Sequence, residues 1–166
     1  MMMLTPRLRR ASLVALYWLS WAVFAAVGLA LNVVCAPLLF LPRRERFGPA
    51  TRRVIRALFD LWVRWHHATH VILVDFIGFD GPVAPGTVII ANHPTIVDAT
   101  FLLARLPNTI CIFKPALMRS PAIGPAALMA GYVSGDAAID LIHDVAACVA
   151  SGKSLLVFPE GTPTTA

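Results

Sequence analysis

The chain has 166 residues, the length of one ordinary domain. Hydrophobic residues make up 58% of it and the mean hydropathy is +0.73, which exceeds the range of ordinary soluble proteins, so we expect part of the chain to lie in lipid. The net charge of +5 is uneven, because residues 1–66 carry ten arginines against two acids, whereas residues 67–166 carry four basic and seven acidic residues. Positive charge beside apolar sequence favours membrane lipids as partners and argues against nucleic acid.

Three cysteines, Cys35, Cys111 and Cys148, lie far apart in apolar surroundings. An odd number without paired spacing does not predict a disulfide framework, and it indicates a reducing, cytoplasmic side of the membrane. We expect all three to be small packing or lipid-facing residues.

Residues 1–48 are predicted to be a membrane-embedded helix or helical hairpin. Residues 11–41 carry no charge, and as one straight helix they would extend ~46 Å, beyond a ~30 Å hydrocarbon core. Arginines flank this run on both sides: Arg7, Arg9, Arg10, Arg43, Arg44 and Arg46. A hairpin bent near Gly28, Asn32 and Pro37 would place both flanks on the cytoplasmic face, so we favour it over a single span.

Residues 49–70 are predicted to form an amphipathic helix at the membrane surface. Apolar residues recur at spacings of three and four, at Val54, Ile55, Leu58, Phe59, Trp62, Val63 and Trp65. The polar positions between them are Arg52, Arg53, Arg56, Asp60 and Arg64. Basic residues and tryptophans in this pattern are typical of an interfacial helix.

Three histidines, His66, His67 and His70, end this helix. We expect interfacial side chains and no metal site, because no third ligand accompanies the pair His66 and His70, which share a helix face. A metal-dependent membrane enzyme that uses these histidines remains an alternative.

Residues 71–166 are predicted to form an α/β domain. The expected strands cover residues 71–79, a central stretch from residue 88, residues 109–113 and residues 154–158. The expected helices cover residues 94–106, 115–130, broken at its prolines, and 136–151. Crossovers of about a dozen residues favour parallel neighbours. We therefore predict an α/β fold with a mixed, largely parallel central sheet flanked by helices and preceded by the membrane-embedded helical segment.

A histidine and an aspartate lie where the central strand meets the following helix. Pro94 suits the first helical position, so His93 is expected at or near the N-cap. From there the ring can fold back over Asp98, which orients one ring nitrogen and leaves the other free as a base.

The last predicted strand ends in a tight turn, Pro159-Glu160-Gly161-Thr162, and the preceding strand ends at Lys114. In parallel α/β sheets, reactive groups gather beyond the carboxyl ends of the strands. His93, Lys114 and Glu160 all follow such ends, so we predict one shared site.

Two motifs carry a resemblance to a known family. Asn92, His93 and Asp98 match the pattern Asn-His, four residues, Asp, and residues 158–162 match Phe-Pro-Glu-Gly-Thr. Over residues 87–162 the chain resembles the glycerolipid acyltransferases, which include the 1-acylglycerol-3-phosphate and lysophospholipid acyltransferases. The resemblance implies an enzyme of phospholipid biosynthesis at the cytoplasmic face of the inner membrane. It implies no cofactor, only acyl-CoA or acyl carrier protein as co-substrate.

The resemblance also implies residue roles. His93 and Asp98 would be catalytic, and Glu160, Gly161, Thr162 and Lys114 would bind substrate, with Asn92, Pro94 and Pro159 in support. Ala137 and Pro163 stand where the family has arginine. Two alternatives follow from these departures, an acceptor without phosphate or a catalytically impaired lipid-binding protein. Family members continue beyond the last motif, so we expect the domain to be incomplete at its C-terminus.

Overall fold

The computed structural model describes residues 6–79, 81–92, 95, 97–135 and 138–159. Helices in this part are α1 (Pro6–Leu38), a 3-10 turn (Arg44–Phe47), α2 (Gly48–Ala68), α3 (Asp98–Arg105), α4 (Pro115–Met118), α5 (Gly124–Ala130) and α6 (Ala138–Ala150). The strands are β1 (Val88–Ile90), β2 (Thr109–Phe113), β3 (Val133–Ser134) and β4 (Ser154–Val157).

The four strands form one sheet in the order β1-β4-β2-β3, and every described pairing is parallel. The core lies where β2 and β4 meet the helices, with Ile110 and Leu156 almost completely buried. Central strands of a parallel sheet are covered on both faces, which explains their continuous apolar sequence. The predicted α/β fold is confirmed.

The first helix, α1, is continuous, so the hairpin favoured for residues 11–41 does not form. Pro37 lies in its last turn, where the helix is about to end, and Gly28 is accommodated without a break. Asn32 fixes α1 to the start of α5, because its amide nitrogen donates to the carbonyl of Ala122 (2.7 Å) and its amide oxygen accepts from the N–H of Ala126 (2.9 Å).

Helix α1 also presents a long uncovered apolar surface. Exposed side chains occur along most of its length, among them Leu8, Val14, Trp18, Leu19, Val23, Leu29, Val33 and Val34. The stretch Arg7–Leu38 is long and apolar enough to cross a membrane, with a mean hydropathy of 2.0. Contact with lipid would remove this surface from water.

Helix α2 packs along α1 and α3. Trp62 and Val63 are buried, and the ring of Trp62 lies 5.5 Å from that of Trp21 in an edge-to-face arrangement. Arg52, expected on the polar face, is instead buried, because it turns inward to bond Asn108 and the carbonyl of Ala130. Periodicity alone could not identify this inward-facing cation.

Two predicted elements differ from the structure. Residues 71–79 pair with no strand in the part of the chain that the structure describes. Val74 and Phe76 instead pack against the cluster that contains Trp62 and Ala104. The guanidinium of Arg105 also lies 4.3 Å from the centre of the Phe76 ring. Helix α3 begins at Asp98 rather than at residue 94. The packing of residues 71–79 reflects contacts with distant segments, which the local pattern does not encode.

Candidate active site

The carboxyl ends of β1 and β4 lie next to each other. Ile90 pairs with Val157, and the N–H of Ala91 donates to the carbonyl oxygen of Val157 (3.1 Å), so pairing continues to the exit of β1. Asn92 and Phe158 therefore follow two neighbouring parallel strands. In the sequence His93 and Glu160 each come three residues after the Ile90–Val157 pair, while His93, Pro94, Glu160, Gly161 and Thr162 themselves lie outside the described residues.

Asp98 is the best-defined member of the site. It is the first residue of α3, half-buried, and both of its carboxylate oxygens accept hydrogen bonds from Thr95. Oδ2 accepts from the Thr95 N–H (2.6 Å) and Oδ1 accepts from the Thr95 hydroxyl (2.7 Å). The main-chain N–H of Asp98 returns a bond to the Thr95 carbonyl (3.2 Å).

Lys114 follows β2, which lies on the other side of β4. Cys111 pairs with Leu156, so Lys114 and Pro159 each come three residues after a paired position. The Lys114 carbonyl accepts from the N–H groups of Leu117 and Met118, which holds the residue at the start of α4 with its side chain exposed. The sheet thus brings Asn92, Lys114 and Pro159 to the carboxyl end of its strands. Their roles in binding stay predictions.

Thr95 is a site residue that the sequence reasoning missed. A signal was present, because Thr95 and Asp98 have the spacing of a helix capping box, in which an acid reaches back to a main-chain N–H three residues earlier. The hydroxyl adds a second bond to the same carboxylate. We therefore regard Thr95 as the positioning residue for Asp98.

A thiol nucleophile is not supplied by Cys111, although this residue lies in β2. Its side chain is only 2% exposed, and burial raises the pKa of the thiol to about 12. A thiol with such a pKa stays protonated and unreactive at neutral pH. A reaction at the candidate active site would therefore depend on side chains that act through oxygen or nitrogen atoms.

The three histidines at the end of α2 occupy different surroundings. His66 is completely buried with Nε2 3.0 Å from the hydroxyl of Ser20, whereas His67 and His70 are exposed. Burial lowers the pKa of His66, which keeps the ring neutral. Over the described part of the chain, no three His, Cys, Asp or Glu side chains are grouped as metal ligands.

Comparisons with known proteins agree with this architecture. The crystal structure of PlsC, the 1-acyl-sn-glycerophosphate (LPA) acyltransferase from Thermotoga maritima, is similar with a TM-score of 0.67 and 16% sequence identity. The likeness covers 94% of this chain and 64% of that one, so this chain spans less than two thirds of the length of that protein. At this identity the likeness shows the fold.

No curated protein sequence matches this chain. Residues 74–166 match the family model described as Acyltransferase, which is more than half of the chain. That stretch contains all four strands and both motifs. The chain therefore belongs to the acyltransferase family.

Proposed function

We propose that this protein transfers a fatty acyl group from an acyl thioester, acyl-CoA or acyl carrier protein, to a hydroxyl of a lysophospholipid-like acceptor such as 1-acylglycerol 3-phosphate. The observation that carries the proposal is the parallel pairing of β1 with β4, after which Asn92 and Phe158 begin the two motif segments. The family membership of residues 74–166 supports the reaction class.

In the proposed reaction, His93 accepts the proton of the acceptor hydroxyl while that oxygen attacks the thioester carbonyl. The tetrahedral intermediate collapses, the carbon–sulfur bond breaks, and the imidazolium of His93 returns the proton to the leaving thiolate. Asp98 orients the ring and stabilises its positive charge. The two bonds from Thr95 support this role, because they fix the carboxylate before substrate arrives.

We assign binding of the acceptor to the segment that follows β4 and to the end of β2. Glu160, Gly161 and Thr162 would hold hydroxyl or headgroup groups of the acceptor, and the exposed ammonium of Lys114 would attract its negative charge. The proposal rests on the neighbouring positions of β4 and β2 in the sheet. No cofactor or metal is required, because the thioester itself supplies the activated acyl group.

The proposed location is the cytoplasmic face of the inner membrane. Support comes from the exposed apolar surface of α1, from arginines at both ends of that helix and from three unpaired cysteines. An apolar helix held in lipid would keep the attached α/β domain beside its lipid acceptors.

A second candidate is a catalytically impaired lipid-binding protein, or a transferase for an acceptor without phosphate. The observation that favours it is the presence of Ala137 and Pro163 where the family has arginine. Neither side chain can form the bidentate hydrogen bonds by which a guanidinium binds phosphate.

The deciding experiment measures thiol release from acyl-CoA and from acyl carrier protein with three acceptors: 1-acylglycerol 3-phosphate, 1-acylglycerophosphocholine and monoacylglycerol. We expect turnover with the first acceptor, its loss in His93→Ala, and its retention in the control His143→Ala, which changes an exposed histidine of α6. Turnover with monoacylglycerol alone would identify an acceptor without phosphate. Folded protein without turnover in any mixture would favour the lipid-binding alternative, and inhibition by a chelator would favour a metal enzyme.

A further inference from the structure

A basic cavity of about 840 Å³ lies at the end of the sheet opposite to the candidate active site. Its wall contains Asn108, Gly131 and Lys153, which come just before β2, β3 and β4 respectively. The amino ends of the strands therefore form its floor. The first turns of α2 contribute Gly48 and Arg52 to the side.

The charges around this cavity are strongly unbalanced. Among the described residues, its basic side chains are Arg44, Arg52, Arg53, Arg56 and Lys153, and its one acidic side chain is Glu45. Where ion pairs occur in the described chain, they join Asp60 to Arg64 and Arg105, which are not part of this wall. Over the described residues, the cavity therefore carries an excess of four positive charges, and none of them forms an ion pair with a carboxylate of that part of the chain.

Arg52 makes this cavity a built feature and not a chance grouping of surface arginines. It is only 8% exposed, and its position is fixed by two bonds to neutral acceptors. Nε donates to the amide oxygen of Asn108 (2.8 Å) and Nη1 donates to the carbonyl oxygen of Ala130 (2.6 Å). A buried cation held by neutral oxygens is stabilised when an anion binds beside it.

The residues around the cavity indicate which kind of anion it binds. The chain between α1 and the cavity exposes Phe40, with 90% of its surface free, and Leu41. Arg44, on the cavity wall, donates to the carbonyl oxygen of Leu39 in the same connection (3.3 Å). Apolar side chains that protrude beside clustered arginines are typical of a surface that enters the boundary between headgroups and acyl chains.

We propose that this cavity binds the phosphate group of an anionic membrane phospholipid, with Phe40 and Leu41 inserted among the acyl chains beside it. Arginine suits this ligand because its planar guanidinium forms paired bonds with phosphate oxygens. The cavity is separate from the proposed active site, since strands of four or five residues place roughly 15 Å of sheet between their amino and carboxyl ends. It would hold the domain against an anionic membrane in a defined orientation.

The test measures binding of short-chain, water-soluble dihexanoyl lipids to the whole chain in detergent micelles by calorimetry. Phosphatidylglycerol is the probe, because its phosphodiester is neither the acceptor nor the product of the proposed reaction. Phosphatidylcholine is the zwitterionic comparison, because it carries the same phosphodiester but no net charge, and inorganic phosphate and CoA represent soluble phosphates. We expect saturable binding of phosphatidylglycerol that weakens with salt and at least tenfold weaker binding of phosphatidylcholine.

The variants separate the cavity from general charge. Arg53→Gln and Arg56→Gln change exposed residues of its wall, and each should weaken binding of phosphatidylglycerol by about tenfold. Arg64→Gln removes the same charge from the same helix outside the cavity and should leave binding unchanged. Arg52→Gln is a less suitable variant, because loss of its bonds to Asn108 and Ala130 would disturb folding.

Three results would overturn the proposal. Equal binding of the two lipids would mean that the net negative charge of the lipid is not recognised. An equal effect of Arg64→Gln would mean that the cavity has no special role. Displacement of phosphatidylglycerol by CoA or inorganic phosphate at equal or lower concentration would identify a site for soluble phosphates instead of lipid. Each result is independent of whether the protein transfers acyl groups.

Discussion

Thr95 holds Asp98 through both carboxylate oxygens, with the main-chain N–H on one and the hydroxyl on the other. Along the chain, this pair lies between the end of β1 and the first residue of α3. A carboxylate fixed in this way can orient a neighbouring imidazole at no further entropic cost when substrate binds. The pair therefore links the local sequence pattern to the proposed chemistry.

The first prediction concerns this hydroxyl. Thr95→Val keeps the shape of the side chain but removes the bond to Oδ1, so we expect kcat to fall by about tenfold, in line with the loss of ~1.4 kcal/mol from one charge-assisted bond. KM should change little, and Thr95→Ser should restore the rate because it returns the hydroxyl. Steady-state kinetics with acyl-CoA measure both parameters. Equal rates for the valine and serine variants would show that the hydroxyl does not position Asp98.

The second prediction concerns the attachment of α1 to the α/β domain. Asn32→Ala removes the bonds to Ala122 and Ala126 and leaves two buried main-chain groups without these partners. We expect a loss of roughly 2–4 kcal/mol in the free energy of unfolding, since each such group costs about 1–3 kcal/mol. Thermal unfolding in detergent measures the change. Ser12→Ala, which removes a bond on the exposed side of the same helix, should be nearly neutral, and equal effects of both changes would contradict the assignment.

The third prediction is a dependence of stability on pH through His66. Burial lowers the pKa of this ring below the value near 6.5 of an unfolded histidine, so the unfolded chain binds the proton more readily. Stability should therefore rise with pH between the lowered pKa and about 6.5, and it should be lost as pH falls through that window. The hydroxyl of Ser20 donates to the carbonyl of Tyr17 (2.7 Å), so the ring of His66 donates from Nε2 to the Ser20 oxygen. Burial, which lowers the pKa of His66, favours the neutral ring in the fold.

Unfolding temperatures of the natural chain and of His66→Gln at pH 5, 6, 7 and 8 provide the measurement. The glutamine variant should be less stable at pH 8 and should show a flatter pH profile, because it cannot titrate. His67→Gln, which changes an exposed neighbour, should keep the natural profile. An unchanged slope in His66→Gln would assign the pH dependence to another group.

The fourth prediction concerns the tight turn between α4 and α5. Gly124 is buried, and a Cβ at this position would overlap the carbonyl oxygen of Met118, a main-chain atom that cannot move aside by rotation. We expect Gly124→Ala to lower the free energy of unfolding by roughly 1–3 kcal/mol through overpacking. Gly28→Ala provides the control, because a Cβ there meets nothing within 4 Å and alanine favours a helix. If both variants unfold at the natural temperature, the turn tolerates the methyl group.

The local sequence predicts the strands at the centre of the sheet well. Residues 109–113 form β2 as predicted, and residues 154–157 of the predicted 154–158 form β4. Both are short apolar runs rich in branched residues, a local property that holds wherever the strand is placed. The two motifs were equally visible, because their spacing depends only on order along the chain. The order β1-β4-β2-β3 depends on pairing between distant segments, which only the structure displays.

The sequence pattern does not predict the burial or pairing of residues whose neighbours come from distant segments. Arg52 and His66 share a helix pattern with exposed residues, yet each turns inward because a partner 56 or 46 positions away accepts its hydrogen bond. Residues 71–79 have the composition of a strand. In the structure, however, Val74 and Phe76 pack against the apolar cluster that contains Trp62, and the main chain pairs with no described strand. Local sequence therefore determined which segments are apolar, regular and chemically distinctive. Tertiary structure decided which polar groups are buried and which strands pair, because burial and pairing depend on contacts between residues that are far apart along the chain.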